Sequence, residues 1–124
     1  PDLPATDEPY ERERVRDGAG ALEPWAAGDL CFVTEGPRAG AGKPQTPEAL
    51  SGFGPIVDFH TQGARISKSN DLGCTYGILE RARASVWPRP AAVDTSVFVH
   101  VWRREPDTVW RLALIVENPI RPPR

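Results

Sequence analysis

The sequence predicts an α+β domain in which helices cover one face of a curved antiparallel sheet. Helical spacing is confined to the start of the chain, and strand-like segments rich in Val, Trp and Phe fill its second half. Helices and strands are thus segregated and do not alternate, which disfavours a parallel α/β sheet. With 124 residues, 13.6 kDa, 40% hydrophobic and 26% charged residues, the chain is expected to form one domain, residues 1–124, able to bury its own core.

Thr6-Asp7-Glu8-Pro9 places capping side chains and acids ahead of a proline tolerated in a first helical turn, so helices are expected over residues 7–28. Val15, Ala19, Leu22 and Ala26 form the apolar stripe of this region, split by Gly18, Gly20 and Pro24 into two short helices that end at Gly28-Asp29. Residues 30–34, Leu-Cys-Phe-Val-Thr, make a first strand. A breaker-rich loop from Gly36 to Pro44 follows, then Thr46-Pro47-Glu48 caps a short helix over 46–52. Residues 57–117 form a four-strand antiparallel meander, and the Pro-rich tail 118–124 is expected to leave the sheet because proline donates no ladder hydrogen bond.

If Glu105-Pro106-Asp107 is the last turn, Arg104 faces Thr108, Trp102 faces Trp110, His100 faces Leu112 and Phe98 faces Leu114. That side is a continuous apolar wall. The other side, with Val97, Val99 and Val101, is also apolar, so both faces are expected to be covered, one of them by a further sheet region or a partner subunit.

The net charge of -2 and pI of about 5.7 supply no basic field, so neither nucleic acid nor a membrane surface is expected as a partner. No apolar run is long enough to cross a bilayer and no leader pattern stands at Pro1; the compartment stays open between cytoplasm and, if a leader was removed, periplasm. Cys31 and Cys74 read as buried free thiols. Gly36 to Lys43 fails as a phosphate loop, since Pro37 and Pro44 occupy positions that need Gly and Ser or Thr. The common zinc, redox, serine-hydrolase and dinucleotide signatures are absent; no metal and no cofactor is expected.

The residues that can carry chemistry are few. His100, between Phe98 and Trp102 on the apolar wall, suits a general base; Asp58 and His60, two apart on one strand, can pair so that the carboxylate orients the imidazole. Tyr76 offers a hydroxyl, while Trp102 and Trp110 read first as packing across the hairpin.

Ser67-Lys68-Ser69-Asn70-Asp71-Leu72-Gly73-Cys74-Thr75-Tyr76-Gly77, followed by Val99-His100-Val101-Trp102-Arg103-Arg104 and Val109-Trp110-Arg111-Leu112-Ala113-Leu114, resembles a bacterial family of unknown function in the nuclear-transport-factor-like superfamily, which also holds SnoaL-like cyclases and ketosteroid isomerases. Asp29 to Pro37 and Gly42-Lys43 look like that family's first strand and glycine loop, and the likeness spans about residues 15 to 120. Asn70, Cys74, Thr108 and Ile115 depart from its usual glycine, tyrosine, glycine and aspartate. The resemblance implies a cone-shaped sheet, strongly curved around the N-terminal helices in the cystatin-like manner, with a mouth for a small apolar or aromatic molecule and a homodimer through the sheet. Tyr76, Phe98, His100, Trp102 and Trp110 would then contact the ligand. The alternatives are an isomerase or cyclase using His100, or Asp58 with His60, as base, and an interaction module without a ligand.

Overall fold

A computed structural model describes residues 3–34, 40–41, 55–83 and 92–120. Helix α1, Leu3–Asp17, starts ahead of the expected cap, so Thr6, Asp7 and Glu8 lie within it and Pro9 interrupts its hydrogen bonding by one donor. Its buried face is not the Val15 stripe, since Val15 is 39% exposed; it is Leu3, Asp7, Tyr10 and Arg14, spaced by four, three and four residues. Gly18 at φ +69 ends the helix in the left-handed conformation that glycine adopts without strain. A single 3-10 segment, Gly18–Leu22, then replaces the expected second helix and buries Ala21 and Leu22.

The first strand is longer and earlier than 30–34: β1 is Ala26–Val33, and Gly28-Asp29 lie within it, in a stretch where the pairing register shifts. The two-residue β2, Gly40–Ala41, pairs with it. The remaining strands are β3 Ile56–Ile66, β4 Leu72–Arg83, β5 Ala92–Arg104 and β6 Trp110–Pro119. They form one sheet ordered β2-β1-β6-β5-β4-β3. The meander is antiparallel as expected, but the sheet is mixed, because β1 runs parallel to β6. The expected helix at 46–52 and residues 121–124 of the tail lie outside the described residues.

The last hairpin departs from its expected register. Thr108 adopts φ +67, and the backbone bonds Glu105 N to Val109 O (2.9 Å) and Thr108 N to Glu105 O (2.8 Å) lengthen the turn. Arg104 therefore faces Trp110, and Trp102 faces Leu112. A bulge between these and the next pairs inserts one residue, so His100 faces Ile115 and Phe98 faces Glu117. Beyond the bulge the inner wall carries Ile115 and Glu117 opposite His100 and Phe98, where Leu112 and Leu114 were expected. Strand β6 also absorbs Asn118 and Pro119: Ile120 N bonds Thr95 O, so by alternation the proline nitrogen faces the side where β1 has already ended.

The core lies between α1 and the inner sheet face. Trp102, Tyr10, Leu30, Phe32, Leu112 and Ile115 are each 0% exposed, and truncating such a ring as Trp102 to alanine costs about 3–5 kcal/mol. Tyr10 meets Trp102 edge-on at 5.6 Å and 85°, and His100 at 5.2 Å and 82°. Phe59, Phe98, Leu79 and Ile56 form a second cluster toward β3. Gly77 is required where β3 bulges: a Cβ there would stand 2.2 Å from the carbonyl oxygen of His60. On the outer face, Cys74, Tyr76, Ile78, Val97, Val99 and Val116 are half-buried or exposed, and no second layer covers them among the described residues. Both cysteines are free and half-buried, not fully buried as expected.

Candidate functional site

Asp7 and Glu11 stand one turn apart on α1, on the flank that crosses β3 and β4. Burial alone would push Asp7 upward, but His100, Glu11 and Thr75 bond its carboxylate and hold it below the ordinary value. His100 Nδ1 lies 3.0 Å from Asp7 Oδ1, and Trp102 Nε1 donates to the same oxygen at 2.9 Å. For Asp7 to accept from the imidazole, Nδ1 carries the hydrogen, which leaves Nε2 as the buried atom without a hydrogen-bond partner.

Glu11 moves the opposite way. Burial, then its hydrogen bond and the charge of Asp7, push its carboxyl up to about 8, although Thr61 Oγ1 donates to its Oε2 at 2.6 Å. Two neighbouring carboxyls thus share one proton near neutral pH. They open on a cleft of about 400 Å³ between α1 and strands β3 and β4, lined also by Phe59, Thr61, Gly63, Ala64 and Thr75.

Deeper under α1 is a second polar group. Arg14 Nη1 donates to Tyr10 Oη at 2.7 Å and to Glu117 Oε2 at 3.2 Å, while Arg81 bonds the other carboxylate oxygen. Burial would raise Glu117, but Arg14, Arg81 and His100 hold it below its ordinary value. Burial raises the Tyr10 hydroxyl, keeping it protonated. Removing Glu117 would leave the buried Arg14 guanidinium without its carboxylate, and the bond between the two ties α1 to β6.

The structure divides the residues expected from sequence. His100, Phe98 and Trp102 are buried at 0%, 1% and 0% exposure behind Asp7, and none of them borders the described clefts. Trp110 lines a different cleft beside Trp25. Tyr76 points to the outer face, where its ring lies over Gly63 because Thr75 and Gly77 take the inward positions of β4. Asp58 and His60 also lie outside, joined by Glu80 from β4: His60 Nε2 is 2.5 Å from Glu80 Oε1 and 3.8 Å from Asp58 Oδ2. They do not converge with His100.

Asp7, Glu11 and Glu117 were missed. Asp7 read as a helix cap, and Glu117 as the last residue of the meander. The available signal was Leu3, Asp7, Tyr10 and Arg14 at helical spacing. Two trios have the size to hold a divalent cation, Asp7 with Glu11 and His100, and Asp58 with His60 and Glu80, since the ligand atoms of each lie within 4.8 Å of one another. Carboxylates supply two of the three donors in each.

No protein-family model matches the chain, and no curated protein matches it at a significant level. Solved structures do. A ketosteroid isomerase-like protein from Erwinia carotovora atroseptica has a TM-score of 0.77 and 16% identity, over 97% of this chain and 95% of that one. An NTF2-like protein of unknown function in nutrient uptake from Rhodospirillum rubrum has a TM-score of 0.65 and 23% identity, over 97% and 100% of the two chains. An NTF2-like protein with a cystatin-like fold from Novosphingobium aromaticivorans has a TM-score of 0.62 and 16% identity, over 91% and 76%. The fold is the α+β fold of these ketosteroid-isomerase-like and NTF2-like proteins, as the sequence resemblance implied.

Proposed function

We propose that the protein binds a small molecule in the cleft beneath α1 and transfers a proton on it, as an isomerase does. One observation carries this reading: Asp7 and Glu11 front the same cleft with proton affinities driven apart, Asp7 held as a carboxylate and Glu11 as an acid at about 8. Neighbouring carboxyls separated in this way are the arrangement that runs acid and base chemistry together at neutral pH. Glu11 donates its proton to the carbonyl oxygen of the ligand while Asp7 takes the proton from the carbon next to that carbonyl, giving a neutral enol. Asp7 then delivers its proton to another carbon of the conjugated enol as the enol hydroxyl returns its proton to Glu11, which leaves the isomer and both carboxyls as they began. His100, Trp102 and Thr75 position Asp7, and Phe59 receives the apolar body. The fold shared with a protein named ketosteroid isomerase-like supports the reaction class.

The test is deuterium wash-in at the carbon beside the carbonyl, followed by proton NMR for a panel of small cyclic ketones in D2O. Wild type is expected to exchange at least one of them faster than buffer, and Asp7→Asn and Glu11→Gln to slow that exchange by about 100-fold or more. Ketones that bind in the cleft without any exchange above buffer would reduce the reading to binding alone.

The open outer face supports homodimerisation through the sheet as a second reading. Tyr76, Ile78, Val97, Val99 and Val116 form one apolar surface across β4, β5 and β6, of the kind a second copy covers. Sedimentation of wild type as a dimer and of Val97→Asp as a folded monomer is the expected outcome; a wild-type monomer at 100 times the dilution series' lowest concentration would end it.

A further inference from the structure

Thr6 and Glu13, seven residues apart, share a flank of α1 turned away from Glu8 and Glu11. Below this flank is a separate cleft of about 540 Å³, walled by Pro24 and Trp25 at the entrance to β1 and by Val109 and Trp110 after the β5–β6 turn. It has the volume of a small-molecule site. Its walls are mostly aromatic and aliphatic, and two polar groups in them are incompletely matched.

Glu13 is the first. Its carboxylate accepts a hydrogen bond from Trp25 Nε1 and forms no ion pair among the described residues, the exposed Arg16 acting on it through its charge without a bond, so a carboxylate stands in an aromatic cleft with a neutral donor as its bonded partner. Trp110 is the second. It is 4% exposed, and its Nε1 donor is buried without a hydrogen-bond partner. The Trp110 ring already takes one cation, with the Arg104 guanidinium 5.8 Å from its centroid. A carboxylate in a cleft walled by indole rings selects for a cation with apolar substituents, because the rings attract the charge while excluding the water that a bare ion needs. The unmatched indole N–H selects for an acceptor oxygen on the same molecule.

We propose that this cleft is a second binding site, which takes a small aromatic amine carrying an oxygen: the ammonium on Glu13, the ring between Trp25 and Trp110, the oxygen toward the Trp110 N–H. The site is independent of the carboxyl pair on the other flank of α1.

Tyramine is a probe with these three features, and 4-hydroxyphenylacetate is its counterpart with the charge reversed. In nitrogen-15 correlation spectra, tyramine is expected to shift the indole resonances of Trp25 and Trp110, assigned from Trp25→Phe and Trp110→Phe, in a saturable way. Glu13→Gln, which still accepts from Trp25, is expected to weaken binding at least tenfold while the melting temperature stays close to wild type. Glu11→Gln is expected to leave tyramine binding unchanged. The proposal is overturned if tyramine moves neither indole at millimolar concentration, if 4-hydroxyphenylacetate binds equally well, or if Glu11→Gln rather than Glu13→Gln abolishes the shifts.

Discussion

Two trios of identical make-up, two carboxyls and one imidazole, sit on opposite faces of the same sheet. Asp7, Glu11 and His100 lie under α1; Asp58, His60 and the half-buried Glu80 lie on the outer side of β3 and β4, with Asp58 at the rim of a cleft that Glu11 also borders. Inside, burial is the largest influence on both carboxyls, and it drives Glu11 to about 8 while bonded neighbours hold Asp7 down. Outside, the leading influence on His60 is its hydrogen bond to Glu80, which raises it from 6.5. The residue types are equal; the position of the helix makes one trio an acid beside a base and leaves the other an exposed cross-strand contact.

The contrast can be broken most directly by removing the imidazoles. His100→Ala leaves Asp7 buried without one of its donors and opens a hole beside Tyr10 and Phe98, so urea denaturation is expected to show a loss of about 3 kcal/mol. His60→Ala is expected to move the midpoint far less, because water replaces what is lost. Equal losses would mean that the inner trio is no more constrained than the outer one.

The next effect is on the pH dependence of stability. Glu11 binds its proton more tightly in the folded chain than in the unfolded chain, so its contribution is complete below 4.5 and is lost as pH rises toward about 8. His60, raised above 6.5, acts in the same direction, and Asp7 and Glu117, held low, titrate below this window. Wild type is therefore expected to lose stability in urea between pH 5.5 and 8.5. Glu11→Gln should flatten that slope more than His60→Gln does, and the reverse order would place the titrating group outside.

Two smaller effects sharpen the comparison by NMR titration. Asp7→Asn removes a negative neighbour and is expected to lower Glu11 from about 8 part of the way toward 4.5, burial keeping it above the ordinary range. Carbon-13 carboxyl shifts read this directly. On the outer face, Glu80→Gln is expected to bring His60 back toward 6.5, read from its ring proton. If Glu11 stays at its wild-type value in Asp7→Asn, the two carboxyls do not share a proton.

The α+β order of elements was legible because period-two segments from 57 to 117 are long and Val-rich, and the antiparallel meander follows from them. Its last register was not, because the turn around left-handed Thr108 takes up two more residues than expected and the bulge in the last hairpin one more, and no apolar pattern marks either. The site was less legible for a related reason. Sequence reading looks for an apolar helix face, and α1 buries Asp7 and Arg14, whose partners His100 and Glu117 lie 93 and 103 residues away. Such pairs become visible only when the strand order is known.

Strand β6 lies between β5 and β1, so the strand made last of the six is the wedge that joins the first to the rest of the sheet. During synthesis α1 therefore emerges long before the surface it covers exists, and closing that contact is the slow, entropically costly step of the topology. Until then the flank it will bury must remain in water. An all-apolar flank would recruit other nascent chains during the wait; one carrying Asp7 and Arg14 stays hydrated. The same charges that tie α1 to the finished sheet thus keep its flank hydrated while the strands it will cover are still being made.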